Sequence, residues 1–118
     1  MQYLLLIYSN EAEWEKQKPG DRDAMLKEYM DFTKSITQSG HYKGGNRLHP
    51  VASATTVRTQ NGKKLTTDGP FAETKEQLGG YYLIEAADLD EATSIAARIP
   101  SAAFGSIEVR PVFERPTA

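Results

Sequence analysis

The sequence predicts a single α+β domain over residues 1–118. Three observations carry that expectation. Apolar residues recur at helical spacing in two separate stretches. Short β-prone runs flank both stretches. An Asn-Gly pair sits between two further β-prone runs, the strongest local signal for a hairpin. The chain has 118 residues, enough for one core and too few for two. With 39% hydrophobic and 25% charged residues it has the composition of a globular protein.

The first element is an unbroken run, Tyr3-Leu4-Leu5-Leu6-Ile7-Tyr8, expected to be a strand covered on both faces. Pro19-Gly20 reads as a turn, after which Asp21 or Asp23 caps a helix. That helix is expected over about 23–39. Met25, Tyr29, Phe32 and Ile36 fall on one stripe, widened by Leu26 and Met30. Gly40 ends it, because glycine enters a left-handed cap without steric cost.

His41 to Leu48 forms a second strand, weakened by Gly44-Gly45. Residues 54–60 and 63–67 make the two arms of the hairpin around Asn61-Gly62, where both central residues need positive φ. Asp68-Gly69-Pro70 breaks the second arm, and residues 71–78 are a loop or one helical turn. Gly79-Gly80 leads into the strand Tyr81–Ala86. Asp88 then caps a second helix, with Glu91 reaching back. Its buried stripe is Leu89, Ala92, Ile95, Ala96 and Ile99, and Pro100 stops it. Residues 107–113 alternate as a final strand, which Pro111 consigns to a sheet edge or a strand end.

This order suggests a ferredoxin-like split βαβ sheet with an added hairpin. Both helices should lie on one face of the sheet. The other face then needs a cover, and a second copy is the simplest one, giving an isologous dimeric α/β barrel.

Composition also excludes several classes of function. Net charge is −2 and no basic block marks a nucleic-acid surface. There are no cysteines, so thiol catalysis and thiolate metal sites are excluded. The opening apolar run has no basic leader and is too short to cross a bilayer, so a soluble cytoplasmic protein without membrane association is expected. The glycine pairs lack the spacing of phosphate or dinucleotide loops, and no cofactor is implied. His41 and His49 are the only histidines. On one strand they would stand roughly 26 Å apart, at 3.3 Å per residue, so no metal site is expected.

Asp68 is the leading candidate for chemistry. Pointed into a cleft between sheet and helix, and drawn partly out of water, its carboxylate would serve as a general base. The plainer reading is turn chemistry, with the carboxylate bonding backbone N–H groups two residues on. Phe71 beside it is a core plug or a platform for a ligand. Arg58 and Arg110 would clamp an anion if they face the cleft; the plainer reading is a salt bridge, for example Arg110 with Glu108. Tyr81 and Tyr82 point to opposite faces of their strand, one into the core and the other toward a ligand. Glu73, Lys75 and Glu76 form a solvated face, a pocket rim or a dimer contact.

The block Thr67-Asp68-Gly69-Pro70-Phe71-Ala72-Glu73-Thr74-Lys75-Glu76-Gln77-Leu78-Gly79-Gly80-Tyr81-Tyr82-Leu83-Ile84 resembles the signature of the YCII-related, DGPF-containing family. Tyr3–Tyr8 is similar to that family's first strand. Ala54–Arg58 and Gly105–Val112 are similar to its hairpin and final strand. The resemblance implies a homodimeric α/β barrel. It is also a resemblance to proteins thought to act on small aromatic or cyclic compounds through a histidine–aspartate pair; for a small-molecule-binding dimer with Asp68 as base, the expected chemistry is proton transfer, an isomerisation or an elimination (lyase-like) on a small ring compound. With no histidine before residue 41, the histidine of that pair is not placed. The other implication is a non-enzymatic regulatory role beside an extracytoplasmic-function sigma factor.

Overall fold

The structure is a computed structural model and describes residues 1–114, so the last four residues of the expected domain lie outside the described part. Nine regular elements follow in order: β1 (Gln2–Ser9), α1 (Glu11–Glu15), α2 (Pro19–Gln38), β2 (Tyr42–Arg47), β3 (Thr55–Gln60), β4 (Lys63–Asp68), β5 (Gln77–Glu85), α3 (Leu89–Ala97) and β6 (Ser106–Pro111). Single 3₁₀ turns occupy Val51–Ser53 and Pro100–Ala103.

The main sheet has the order β2-β5-β1-β6, with antiparallel pairing throughout. β3 and β4 form a separate two-stranded sheet. The order of the four-stranded sheet is compatible with a ferredoxin-like fold. Tyr3, Leu5 and Ile7 of β1 alternate with half-exposed neighbours, and Tyr82 and Ile84 do the same on β5. These side chains meet Phe32 and Ile36 of α2 and Ala92, Ile95 and Ala96 of α3 in one core. Both long helices therefore cover the same face, as expected.

The core stripes are narrower than the sequence suggests. On α2 only Phe32 and Ile36 are buried, Met25 and Tyr29 are half-buried, and Met30 is 72% exposed. On α3 Leu89 is 52% exposed, because it lies in the first turn beside the cap. Asp88 caps that helix as expected, its carboxylate accepting from the Glu91 N–H at 2.9 Å. Glu91 reaches back to the Ala87 N–H at 3.0 Å, a reciprocal cap.

Other boundaries differ for identifiable reasons. α2 starts at Pro19, not 23. Proline at the first helical position has no N–H to leave unsatisfied and already holds helical φ. Asp21 consequently sits within the first turn, where its charge suits the helix dipole. α1 is an additional short helix, capped by Asn10, which accepts from the Glu13 N–H at 3.2 Å. β5 starts at Gln77, so the glycine pair lies within it. A Cβ at Gly80 would stand 2.9 Å from the Asn46 carbonyl oxygen, and one at Gly45 would stand 2.8 Å from that of Tyr81. Bare backbone is what lets β2 and β5 approach here. Asn61 and Gly62 have φ of +50° and +75°, as the hairpin turn requires.

Candidate functional site

The sheet has two unlike faces. Paired residues of antiparallel strands share a side. Leu4 stands opposite Leu83 and Arg110, and Leu6 opposite Tyr81 and Glu108. These residues lie on the face away from the helices, with Gly44 opposite Leu83 and Asn46 opposite Tyr81 at its margin. The uncovered face thus has an apolar centre of Leu4, Leu6 and Leu83, one phenol, and a charged strand at its edge.

Tyr81 and Tyr82 divide as the pleat demands. Tyr82 is 8% exposed and packs edge-on against Phe32 (5.3 Å between centroids) and Tyr42 (6.2 Å). Its hydroxyl lies 2.7 Å from Thr33 Oγ1, which itself donates to the Tyr29 carbonyl at 2.9 Å, so the Tyr82 hydroxyl donates to Thr33. Burial pushes the Tyr82 phenol above its ordinary value, with the Thr33 hydrogen bond pulling the other way. Tyr81 is half-exposed on the open face, and its hydroxyl accepts from Asn46 Nδ2 at 2.9 Å.

Arg110 on the edge strand pairs with Glu108, the salt bridge anticipated from their spacing. The hairpin candidates are elsewhere. Asp68 ends β4 on the separate two-stranded sheet and is exposed, as is Arg58 on β3. The structure corrects the expectation that Asp68 is partly buried in a cleft between sheet and helix, because every residue of its strand faces solvent. No side-chain hydrogen bond joins its carboxylate to another described residue. Other groups close the turn: the Gly69 N–H donates to the Ala54 carbonyl at 2.7 Å, and the Thr56 side chain, through Oγ1, donates to the Gly69 carbonyl at 2.9 Å. Phe71 is 80% exposed, so it is no core plug. Thus Arg58, Asp68 and Phe71 stand on the hairpin and its exit, while Tyr81 and Arg110 stand on the open face.

The loop after Phe71 is tied down at its far end. Gln77 Nε2 donates to the Thr74 carbonyl at 2.6 Å, and Ser106 Oγ donates to Glu76 Oε1 at 2.7 Å. Among Glu73, Lys75 and Glu76, only Glu76 therefore has a structural partner in β6.

Sequence reasoning passed over two polar arrangements on the helix side. His41 has Nδ1 2.7 Å from Ser39 Oγ and Nε2 3.1 Å from Glu91 Oε1, which locks the ring between α2 and α3. Near the end of β2, Trp14 carries the guanidinium groups of Arg22 and Arg47 at 5.9 and 5.6 Å from its ring. Tyr29 points into the same layer and shares a hydrogen bond with Ser101. Burial raises the Tyr29 phenol, opposed by Ser101 and by the charge of Arg47. Residues 14, 22 and 47 are far apart in sequence. The one signal available was the presence of a single tryptophan in the chain.

Among the described residues, no group of three or more His, Asp or Glu side chains is arranged to hold a metal ion, and no helix is long and apolar enough to cross a membrane.

The YCII-related domain model matches residues 1–115. An uncharacterised protein of Rhizobium meliloti (strain 1021) is 36% identical over 114 residues, covering 95% of this chain and 92% of that protein. A match that spans almost the whole chain, together with this relative, places the protein in the YCII-related domain family.

Proposed function

We propose that the chain works as a small-molecule-binding homodimer of the DGPF type, two copies laying the open faces of their sheets together as an α/β barrel. One observation carries this reading: the four-stranded sheet is covered by helices on one side only, and Leu4, Leu6 and Leu83 form the centre of the other. Burying apolar surface stabilises by roughly 25 cal/mol per Å², so a contiguous apolar sheet face favours a cover. A two-fold axis lets the same patch serve both partners.

In this reading Tyr81 and Arg110 line the inter-sheet cleft, Tyr82 supports it from the core side, and the hairpin reaches toward the partner with Arg58, Asp68 and Phe71. The Asp68 carboxylate has no hydrogen-bonded partner among the described residues and is the general base of a proton transfer on a small ring compound. The resemblance of the Asp68–Ile84 block supports that assignment.

The test is the solution mass. Size-exclusion chromatography with light scattering should give twice the 13.1 kDa chain mass. Leu83→Arg, placed at the centre of the open face, should return a folded single chain. A wild-type protein that runs as a single chain at micromolar concentration ends this reading.

A further inference from the structure

Trp14 lies in the short helix α1. α1, which bears it, is latched on two sides: the Glu11 N–H donates to Gln77 Oε1 at 3.0 Å, and Glu11 Oε1 accepts from the Val51 N–H at 3.0 Å. Arg22 comes from the first turns of α2, and its Nη2 donates to the Glu15 carbonyl at 2.6 Å. Arg47 ends β2, opposite Gly80, on the helix side of the sheet. Three elements thus bring two guanidinium groups to one indole.

The charge balance there is unusual. The chain has 16 acidic residues against 14 basic ones, yet neither arginine pairs with a carboxylate among the described residues. Of the acids on α1, Glu13 pairs with Lys16 at 3.7 Å, and Glu15 meets Arg22 through its main-chain carbonyl alone. Arg22 Nε and Gln17 Oε1 are both shut off from solvent without a hydrogen-bond partner. A guanidinium–indole contact at a partly exposed site is weak, whereas a buried donor left without a partner is costly. Stacking alone therefore gives no reason to gather two like charges and an unsatisfied N–H at one ring.

We infer that Trp14, Arg22 and Arg47 form a binding site for a small oxyanion, a carboxylate or phosphate group, with the indole as its apolar wall. Guanidinium N–H groups match both oxyanions by paired hydrogen bonds. Arg47, exposed at the end of β2, supplies the paired N–H groups, and the Arg22 guanidinium on the same indole completes the neutralisation. All three residues belong to one chain, so the site does not rest on the homodimer.

Because Trp14 is the sole tryptophan, its indole N–H gives a single cross-peak in a ¹⁵N-correlated NMR spectrum. The experiment titrates the wild-type chain with inorganic phosphate and, separately, with benzoate, holding ionic strength constant with sodium chloride. A saturable shift of that peak is expected. Saturation by benzoate alone assigns the site to carboxylates, and by phosphate alone to phosphates. Arg47→Gln should raise the half-saturation concentration at least about tenfold, the loss of one charge-assisted contact. Arg47→Lys, which keeps the charge but loses the fork, should fall between and guards against misfolding. Lys64→Gln on the hairpin should match wild type. The inference is overturned if neither anion gives a saturable shift, if chloride alone reproduces it, or if Arg47→Gln binds as well as wild type.

Discussion

Replacing Tyr82 with phenylalanine separates a core pillar from a ligand-binding hydroxyl. The ring contacts to Phe32 and Tyr42 are retained. What is lost is one hydrogen bond to Thr33. Thr33 still donates to the Tyr29 carbonyl, so the substitution strands no donor. A neutral hydrogen bond of this kind is worth about 1 kcal/mol net, which corresponds to a fall in Tm of about 4 °C for a domain of this size. The pH dependence adds a second signature. Burial raises the folded-state pKa of Tyr82 above the ordinary 10.0. The folded state therefore holds the phenol proton more tightly than the unfolded chain. The resulting stability is fully present below about pH 10 and is lost as pH rises through the folded value. Tyr29 behaves the same way. Urea unfolding at neutral pH and above pH 10 should show wild type losing stability at alkaline pH, and Tyr82→Phe losing less, with Tyr29 and the Glu85-bonded Met1 amino group contributing to the remainder. A Tyr82→Phe variant with unchanged stability at neutral pH and an unchanged alkaline slope would refute this account of the core.

Two further predictions concern single contacts. Gly105→Ala should destabilise the domain by roughly 3 kcal/mol, because its Cβ would overlap the Tyr8 carbonyl oxygen and crowd the Ser101 carbonyl at 3.2 Å; a thermal melt within a degree of wild type would contradict this. Asp88→Ala should cost about 1 kcal/mol by uncapping α3, read from urea midpoints at an unchanged m-value.

The parts of this fold legible in the sequence are those governed by local rules. Asn61-Gly62 demanded positive φ and obtained it. Asp88 and Glu91 capped α3 because their spacing alone brings side chain to backbone. β1, β5 and β6 are readable as apolar or alternating runs, whereas β2, with Gly44-Gly45 at its centre, carries a weaker signal. Long-range geometry was less visible. Pro19 looks alike as a turn and as a first helical residue, and only the capped α1 before it decides. Gly80 reads as part of a lead-in because its reason is the backbone of β2, which lies more than thirty residues away. A cleft position for Asp68 is one of its two readings because its own turn does not reveal that the hairpin leaves the sheet. In hindsight Val57 and Leu65 hold a clue: Val57 stands opposite Thr66 and Leu65 opposite Arg58, so the two apolar side chains fall on different faces. A hairpin without an apolar face has nothing to pack with.

That absence has a consequence for how the molecule holds together. An isolated two-stranded ribbon is marginal in water, and β3–β4 has no core beneath it. Its amides should open by local fluctuation, while those of β1 and β5, at the centre of the main sheet, open only when the whole domain unfolds. The chain therefore has two tiers of stability joined by short connections. Sequence changes in the ribbon leave the folding of the sheet nearly untouched, so the reach and chemistry of this arm can diverge without endangering the domain that carries it.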